Sequence, residues 1–113
     1  MEFVKMHGLG NDFIVVAAAS FEDAAYYQTV STAWCERHFG IGADGILVTG
    51  PDSQADIFMR VFNPDGSEAE MCGNGIRCIS WYARKIGLVD QDTFMVRTRA
   101  GNRLVGMVSD EAV

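Results

Sequence analysis

The chain has 113 residues, with nine Lys and Arg against fifteen Asp and Glu and a net charge of −6. That length suits one domain over residues 1–113, with a hydrophobic core that needs no disulfide or metal staples, which become usual below about 40 residues. An apolar fraction of 49% excludes intrinsic disorder, and the acidic balance argues against a nucleic-acid partner, whose phosphates need a surplus of Lys and Arg.

Residues 2–7 and 11–17 read as two strands around a Gly-Leu-Gly-Asn turn, with Phe13, Ile14, Val15 and Val16 as a buried β-rich run. The stretch Ser20 to Tyr27 has no clear period. Residues 29–39 suit a helix with Thr29 or Ser31 as N-cap, Val30, Ala33, Trp34 and the stem of Arg37 at helical spacing, and Gly40 as its stop. Ile46 to Val48 is a short strand ended by Gly50-Pro51-Asp52. In the strand 55–63, Ile57, Met59 and Val61 line one face and Phe58 and Phe62 the other, so both faces are expected to be covered. Pro64-Asp65-Gly66 follows as a turn. A second helix over 73–86 is stopped by Gly87. Its apolar face is Ile76, Ile79, Tyr82, Ala83 and Ile86, widened by Cys78 and Trp81, and only Arg77, Ser80, Arg84 and Lys85 remain as a polar stripe. A helix apolar around most of its circumference belongs in a core. Strands over 93–99 and 102–109 around Ala100-Gly101-Asn102 close the chain as a hairpin. The order predicts an α+β domain whose mixed β-sheet curls into a barrel-like layer around a central helix.

The cell compartment follows from the same reading. Met1 to Met6 lacks the layout of a signal peptide, and the longest apolar run, Phe13 to Ala19, is far short of the roughly 20 residues of a membrane span. No membrane partner is expected, and three cysteines without secretory features suggest reduced thiols in a cytoplasmic protein.

Three motifs fail on inspection. Gly40-Ile41-Gly42-Ala43-Asp44-Gly45 satisfies G-x-G-x-x-G, but a dinucleotide site needs it after a strand and before a helix, and here the order is reversed. Cys35-x-x-His38 is half a zinc site without a second ligand pair, so neither metal nor cofactor is expected. Ser67-x-x-Glu70 matches a capping box and needs no function.

Cys72-Gly73-Asn74-Gly75 at the start of the second helix is different. Three poor helix formers in succession mark a helix mouth, where Gly lets backbone amides approach a ligand. Open N–H groups and the helix dipole favour a carboxylate there, and the same field favours the thiolate of Cys72. A thiolate beside a carboxylate cradle is what proton abstraction next to a carboxylate requires, because the charge that builds up must meet preorganised donors.

The segments Lys5-Met6-His7-Gly8-Leu9-Gly10-Asn11-Asp12-Phe13, Gly40 to Gly45, and Asn63 to Cys78 (NPDGSEAEMCGNGIRC) resemble the N-terminal half of the diaminopimelate epimerase family, in order and over nearly the whole chain. The resemblance implies two similar α+β domains and a cofactor-independent isomerase. It would interconvert LL- and meso-diaminopimelate, for lysine and peptidoglycan biosynthesis, with two cysteines on opposite faces of the α-carbon. By that resemblance Cys72 is the first catalytic cysteine, Gly73 and Asn74 bind the α-carboxylate, and Asn11 and Asn63 hold the substrate. Cys35 and Cys78 match no catalytic position. Some members carry a substrate-contacting Gln where this chain has Gly45. The family's second cysteine lies in a C-terminal domain absent from these 113 residues, so the chain alone is expected to be inactive. A homodimer setting two Cys72 thiols across one cleft would be an exception. A non-catalytic binding or structural module is the alternative, which packing alone does not favour, since it does not require Asn11, Cys72, Gly73 and Asn74 together.

Overall fold

The computed structural model describes residues 3–8, 10–108 and 111–112. In chain order the elements are β1 (Val4–Gly8), β2 (Asn11–Ala17), α1 (Tyr26–Cys35), β3 (Gly45–Pro51), β4 (Ile57–Phe62), β5 (Glu68–Ala69), α2 (Gly73–Lys85), β6 (Thr93–Thr98), β7 (Gly101–Val108) and β8 (Glu111–Ala112). The sheet runs β1-β2-β3-β4-β6-β7-β8, and β5 pairs with the end of β4. β2 is parallel to β3 and β4 to β6, while the other neighbours are antiparallel. Each parallel pair needs a crossover. α1 supplies the first and α2 the second, and the two helices cover opposite faces.

The strand alternation sorts the core accordingly. Phe13, Val15, Leu47, Ile57, Met59, Val61, Phe94, Val96, Val105 and Met107 pack with Cys78, Ile79, Tyr82 and Ala83 of α2. Ile14, Val16, Ile46, Val48, Phe58 and Phe62 pack with Tyr27 and Cys35 of α1. β4 is therefore buried on both faces, as its sequence predicts. α2 touches β1 at one end of the sheet and β8 at the other. The mixed sheet thus curls around α2 without closing, the α+β arrangement expected from the sequence.

Several boundaries differ, each for a local reason. Residues 20–27 hold a 3-10 turn, Asp23–Ala25, whose Asp23 N–H donates to Ser20 Oγ at 3.0 Å. α1 continues directly from it, so Ala25 precedes the helix with no side-chain cap. Thr29 and Ser31 lie inside the helix, their hydroxyls donating back to the carbonyls of Tyr26 and Gln28. The buried positions are Tyr27, Ser31 and Cys35, one turn apart, and Ala33 is exposed. α1 ends at Cys35 because Glu36 turns extended and its carboxylate captures the N–H groups of His38 and Phe39. Arg37 therefore leaves the helix for two carboxylates described below.

α2 ends one residue early, and Gly87 follows with φ +83 as the expected stop. Ile86 is 47% exposed. Leu88 and Val89 turn back to the core in its place, the Leu88 N–H donating to Ala83 O at 2.8 Å. Ser80, placed by periodicity on the polar stripe, is fully buried, and its hydroxyl has no partner among the described residues. Glu2 of the first expected strand, Leu9 of the expected turn and Ser109 of the last expected strand lie outside the described residues. Within the final hairpin Thr98 pairs with Gly101, so the loop is Arg99-Ala100.

Candidate active site

Cys72 is extended (φ −147, ψ 110) and forms the N-cap of α2. Its Sγ accepts a hydrogen bond from the Gly75 N–H at 3.3 Å, and its carbonyl accepts from Ile76 N–H at 2.9 Å. Cys72, and not the Ser67-x-x-Glu70 box, caps the helix. The N–H groups of Gly73 and Asn74 lie in the first turn and have no intrahelical acceptor. Gly73 is exposed, and a Cβ added there would meet nothing within 4 Å. Gly75 is buried, and its Cβ would lie 3.0 Å from Leu47 Cδ2 and 3.4 Å from Cys72 Sγ. One glycine therefore leaves the mouth open, and the other lets the helix approach β3 without displacing the thiol.

Asn74 joins this mouth to the β1–β2 hairpin: its Nδ2 donates to Asn11 Oδ1 at 2.9 Å. The pair spans 63 residues of sequence. It leaves the Asn11 amide nitrogen and the Asn74 amide oxygen as a donor and an acceptor at the site.

Asn63 lies at the same end of the sheet. Phe13 is paired with Gly45, and Ile46 with Phe62, which puts Asn63 two strands from the start of β2. Its Nδ2 donates to Ser67 Oγ at 3.0 Å, and its N–H to Ser67 O at 2.8 Å. Asn63 thus closes the β4–β5 turn and does not share the Asn11–Asn74 hydrogen bond. Gly45 has no side chain to offer, and a Cβ there would stand 3.2 Å from Phe62 O.

The three thiols occupy unlike surroundings. All are free. Burial pushes the Cys35 thiol up. Burial also raises that of Cys78, and the nearby charge of Cys72 adds to the shift. Cys72 is half-buried at the helix mouth. Cys35 belongs to the α1-side core, whereas His38 is exposed with Nδ1 3.0 Å from Glu36 Oε1, so Cys35-x-x-His38 does not converge on one point. Among the described residues, no group of three or more His, Cys, Asp and Glu stands ready for a metal ion. None of their helices is long and apolar enough to cross a membrane.

Sequence reasoning misses the charges around Asn11. The Asp12 carboxylate is bracketed by Arg37 Nη2 at 3.0 Å and Lys5 Nζ at 3.0 Å, which hold it far below the usual carboxylate range, Arg37 most strongly. Asp12 and Asp44 also exchange backbone contacts: Asp12 N–H donates to Asp44 Oδ2 at 2.9 Å, and Asp44 N–H to Asp12 O at 2.8 Å. The available signal was the presence of charged residues inside the two glycine-rich segments, Lys5–Phe13 and Arg37–Gly45.

Residues 3–113 match the family model described as diaminopimelate epimerase. The diaminopimelate epimerase of Caldanaerobacter subterraneus subsp. tengcongensis is 55% identical over 101 residues, covering 89% of this chain and 36% of that protein. That of Heliobacterium modesticaldum is 47% identical over 114 residues, covering 99% and 41%. The chain therefore spans well under half the length of these curated relatives. Among solved structures, a Bacillus anthracis phenazine biosynthesis protein of the PhzF family superposes with TM-score 0.68 at 22% identity, covering 94% of this chain and 34% of that one. A hydroxyproline epimerase from Agrobacterium vitis, solved with trans-4-hydroxy-L-proline, superposes with TM-score 0.66 at 14% identity, covering 96% and 38%. At those identities the structural likeness establishes the fold alone.

Proposed function

The chain belongs to the diaminopimelate epimerase family, and we propose that it forms one side of an active site that interconverts LL- and meso-diaminopimelate without a cofactor, in lysine and peptidoglycan biosynthesis. The observation that carries this reading is the half-buried thiol of Cys72 at an open helix mouth, beside Gly73 and the Asn11–Asn74 pair. The substrate's α-carboxylate sits on the N–H groups of Gly73 and Asn74, where the dipole of a 13-residue helix favours negative charge. Cys72 as thiolate takes the α-proton: the C–H bond breaks, an S–H bond forms, and the electron pair passes into the carboxylate as an enediolate. Those two N–H groups stabilise that charge as it develops. The Asn11 amide nitrogen and the Asn63 amide oxygen, the groups their hydrogen bonds to Asn74 and Ser67 leave open, hold the substrate's other polar groups.

A proton then returns from the opposite face, by a second thiol in the C-terminal domain that family members add. Residues 1–113 act as a single domain docked against that partner. Free thiols suit a cytoplasmic setting.

The test is deuterium uptake at the α-carbon of diaminopimelate in heavy water, with the chain alone and with the remaining part of a full-length relative supplied separately. Little uptake alone and restored uptake on mixing is the expected result. Uptake with inversion of the α-carbon by the chain alone, shown monomeric by sedimentation, would overturn the one-sided site. Uptake by a dimer would instead assign the second thiol to a second copy's Cys72.

A further inference from the structure

Directly behind Asn11 lies a set of charges that the proposed chemistry does not use. Two segments meet at the Asp12 carboxylate: β1 brings Lys5, and the loop after α1 brings Arg37, which also binds Asp44 of the same loop at 3.1 Å. Lys5 also donates to the carbonyl of Gly42 in that loop. His7 stands across the strand pair from Asp12. The Asp12 N–H belongs to the same peptide plane as the Asn11 carbonyl, and its bond to Asp44 Oδ2 holds that plane at 2.9 Å. Successive side chains leave a strand on opposite faces, so fixing this peptide fixes the direction in which Asn11 leaves it.

That direction matters because the Asn11–Asn74 contact has one favourable sense. The Asn74 amide nitrogen donates to the Asn11 amide oxygen. Turning either amide over would set two NH2 groups or two carbonyls against each other. We propose that Asp12 is a positioning residue: locked by Arg37, Lys5 and Asp44, it fixes Asn11, and through Asn11 the Asn74 amide, at the mouth of α2. Its importance for catalysis rests on the function proposed above, but the geometry does not.

Nuclear magnetic resonance of the nitrogen-15-labelled chain reads the Asn74 side-chain amide directly. Two variants carry the test. Asp12→Asn removes the charge at constant shape, and Arg37→Gln removes the strongest ligand of Asp12 from an exposed position. In both, the Asn74 amide protons are expected to exchange roughly fivefold faster, the factor for one lost part-buried hydrogen bond. In the parent chain Asp12, held well below its ordinary value, stays ionised down to about pH 4, so Asp12 itself should not move the Asn74 signal between pH 7 and that point. In Arg37→Gln, where Lys5 alone still holds Asp12 down, a step from Asp12 should appear at higher pH than in the parent chain. Lys5, His7 and Asp44 stand around Asp12, so any change with pH that persists in Asp12→Asn is theirs and not Asp12's. If Asp12→Asn fails to fold, Arg37→Gln decides. An Asn74 signal unchanged in folded variants overturns the positioning role. A responsive Asn74 in a chain that never supports α-proton exchange would leave positioning intact and sink the proposed function instead.

Discussion

Glu68 and Cys72 lie four residues apart in one segment, yet the fold uses them in opposite ways. Glu68 pairs with Phe62 in β5 and so turns towards the α1 face. There Arg60 binds it through two 2.8 Å hydrogen bonds, donates a third to Phe21 O, and lies between the Phe21 and Phe62 rings. Arg99 adds a contact at 2.6 Å. The Glu68 and Arg60 side chains are only 7% and 10% exposed, and every charge is answered by a partner within the chain. Ala69, Met71 and Cys72 turn to the α2 face, where the helix mouth keeps donors open and a thiol half-exposed. A buried network with all its groups satisfied is scaffold, and a cluster that leaves groups unsatisfied is poised for a ligand.

The sharpest way to break this contrast is to exchange the consequences. Cys72→Ser keeps an oxygen acceptor for the Gly75 N–H, so the fold should persist. α-Proton exchange in the reassembled enzyme should still fall about 10²–10⁴-fold, the usual worth of a general base. Unfolding in urea alongside the exchange assay separates the two effects.

Glu68→Gln should do the reverse. It leaves Arg60 buried without its counter-charge, and breaking such a pair costs about 3–5 kcal/mol. Urea unfolding measures the loss, while the alkylation rate of Cys72 in the folded variant should hardly change. The pH dependence gives a second check. Burial works to raise the Glu68 carboxyl, but Arg60 and Arg99 outweigh it and hold it below its ordinary value. Asp12 is lowered as well, chiefly by Arg37. Groups lowered in the folded state stabilise it fully above their unfolded values of about 4, and that stability is lost as pH falls below them. Stability should therefore drop below about pH 4, and less steeply in Glu68→Gln.

Alkylation compares the thiols without any variant. Iodoacetamide at neutral pH should modify Cys72 at least about tenfold faster than Cys35 or Cys78, whose thiols burial pushes up. Equal, slow modification of all three would favour an inert module.

The smallest effect separates two glycines of one turn. Gly73→Ala meets open space, so stability should stay within about 0.5 kcal/mol while substrate protection of Cys72 is lost. Gly75→Ala presses a Cβ towards Leu47 Cδ2 and Cys72 Sγ, and should slow Cys72 alkylation with a measurable loss of stability.

Much of the fold can be read from local pattern. A continuous β-rich run places β2, two alternating apolar faces place β4, and the Ala100-Gly101-Asn102 turn signal places the β6–β7 hairpin, while the wide apolar face of residues 73–86 marks α2 as the central helix. Pattern fails where a tertiary contact outweighs propensity. α1 begins early because the turn at Asp23–Ala25 feeds it, and it ends early because Glu36 captures two backbone N–H groups. Ser80 looks polar in sequence and is buried.

The site divides along the same line. Sequence by itself determined that Cys72-Gly73-Asn74-Gly75 opens a buried helix, because glycines and a helix-poor residue in succession are tolerated only at a helix end. It also determined the family, through motifs whose spacing spans the chain. Only the tertiary structure decided that Asn11 meets Asn74 across 63 residues, that Asn63 spends its amide on Ser67, and that Glu68 faces away from Cys72. Those outcomes depend on strand register and on which face each side chain leaves. A single slipped residue would reverse the faces without altering any motif.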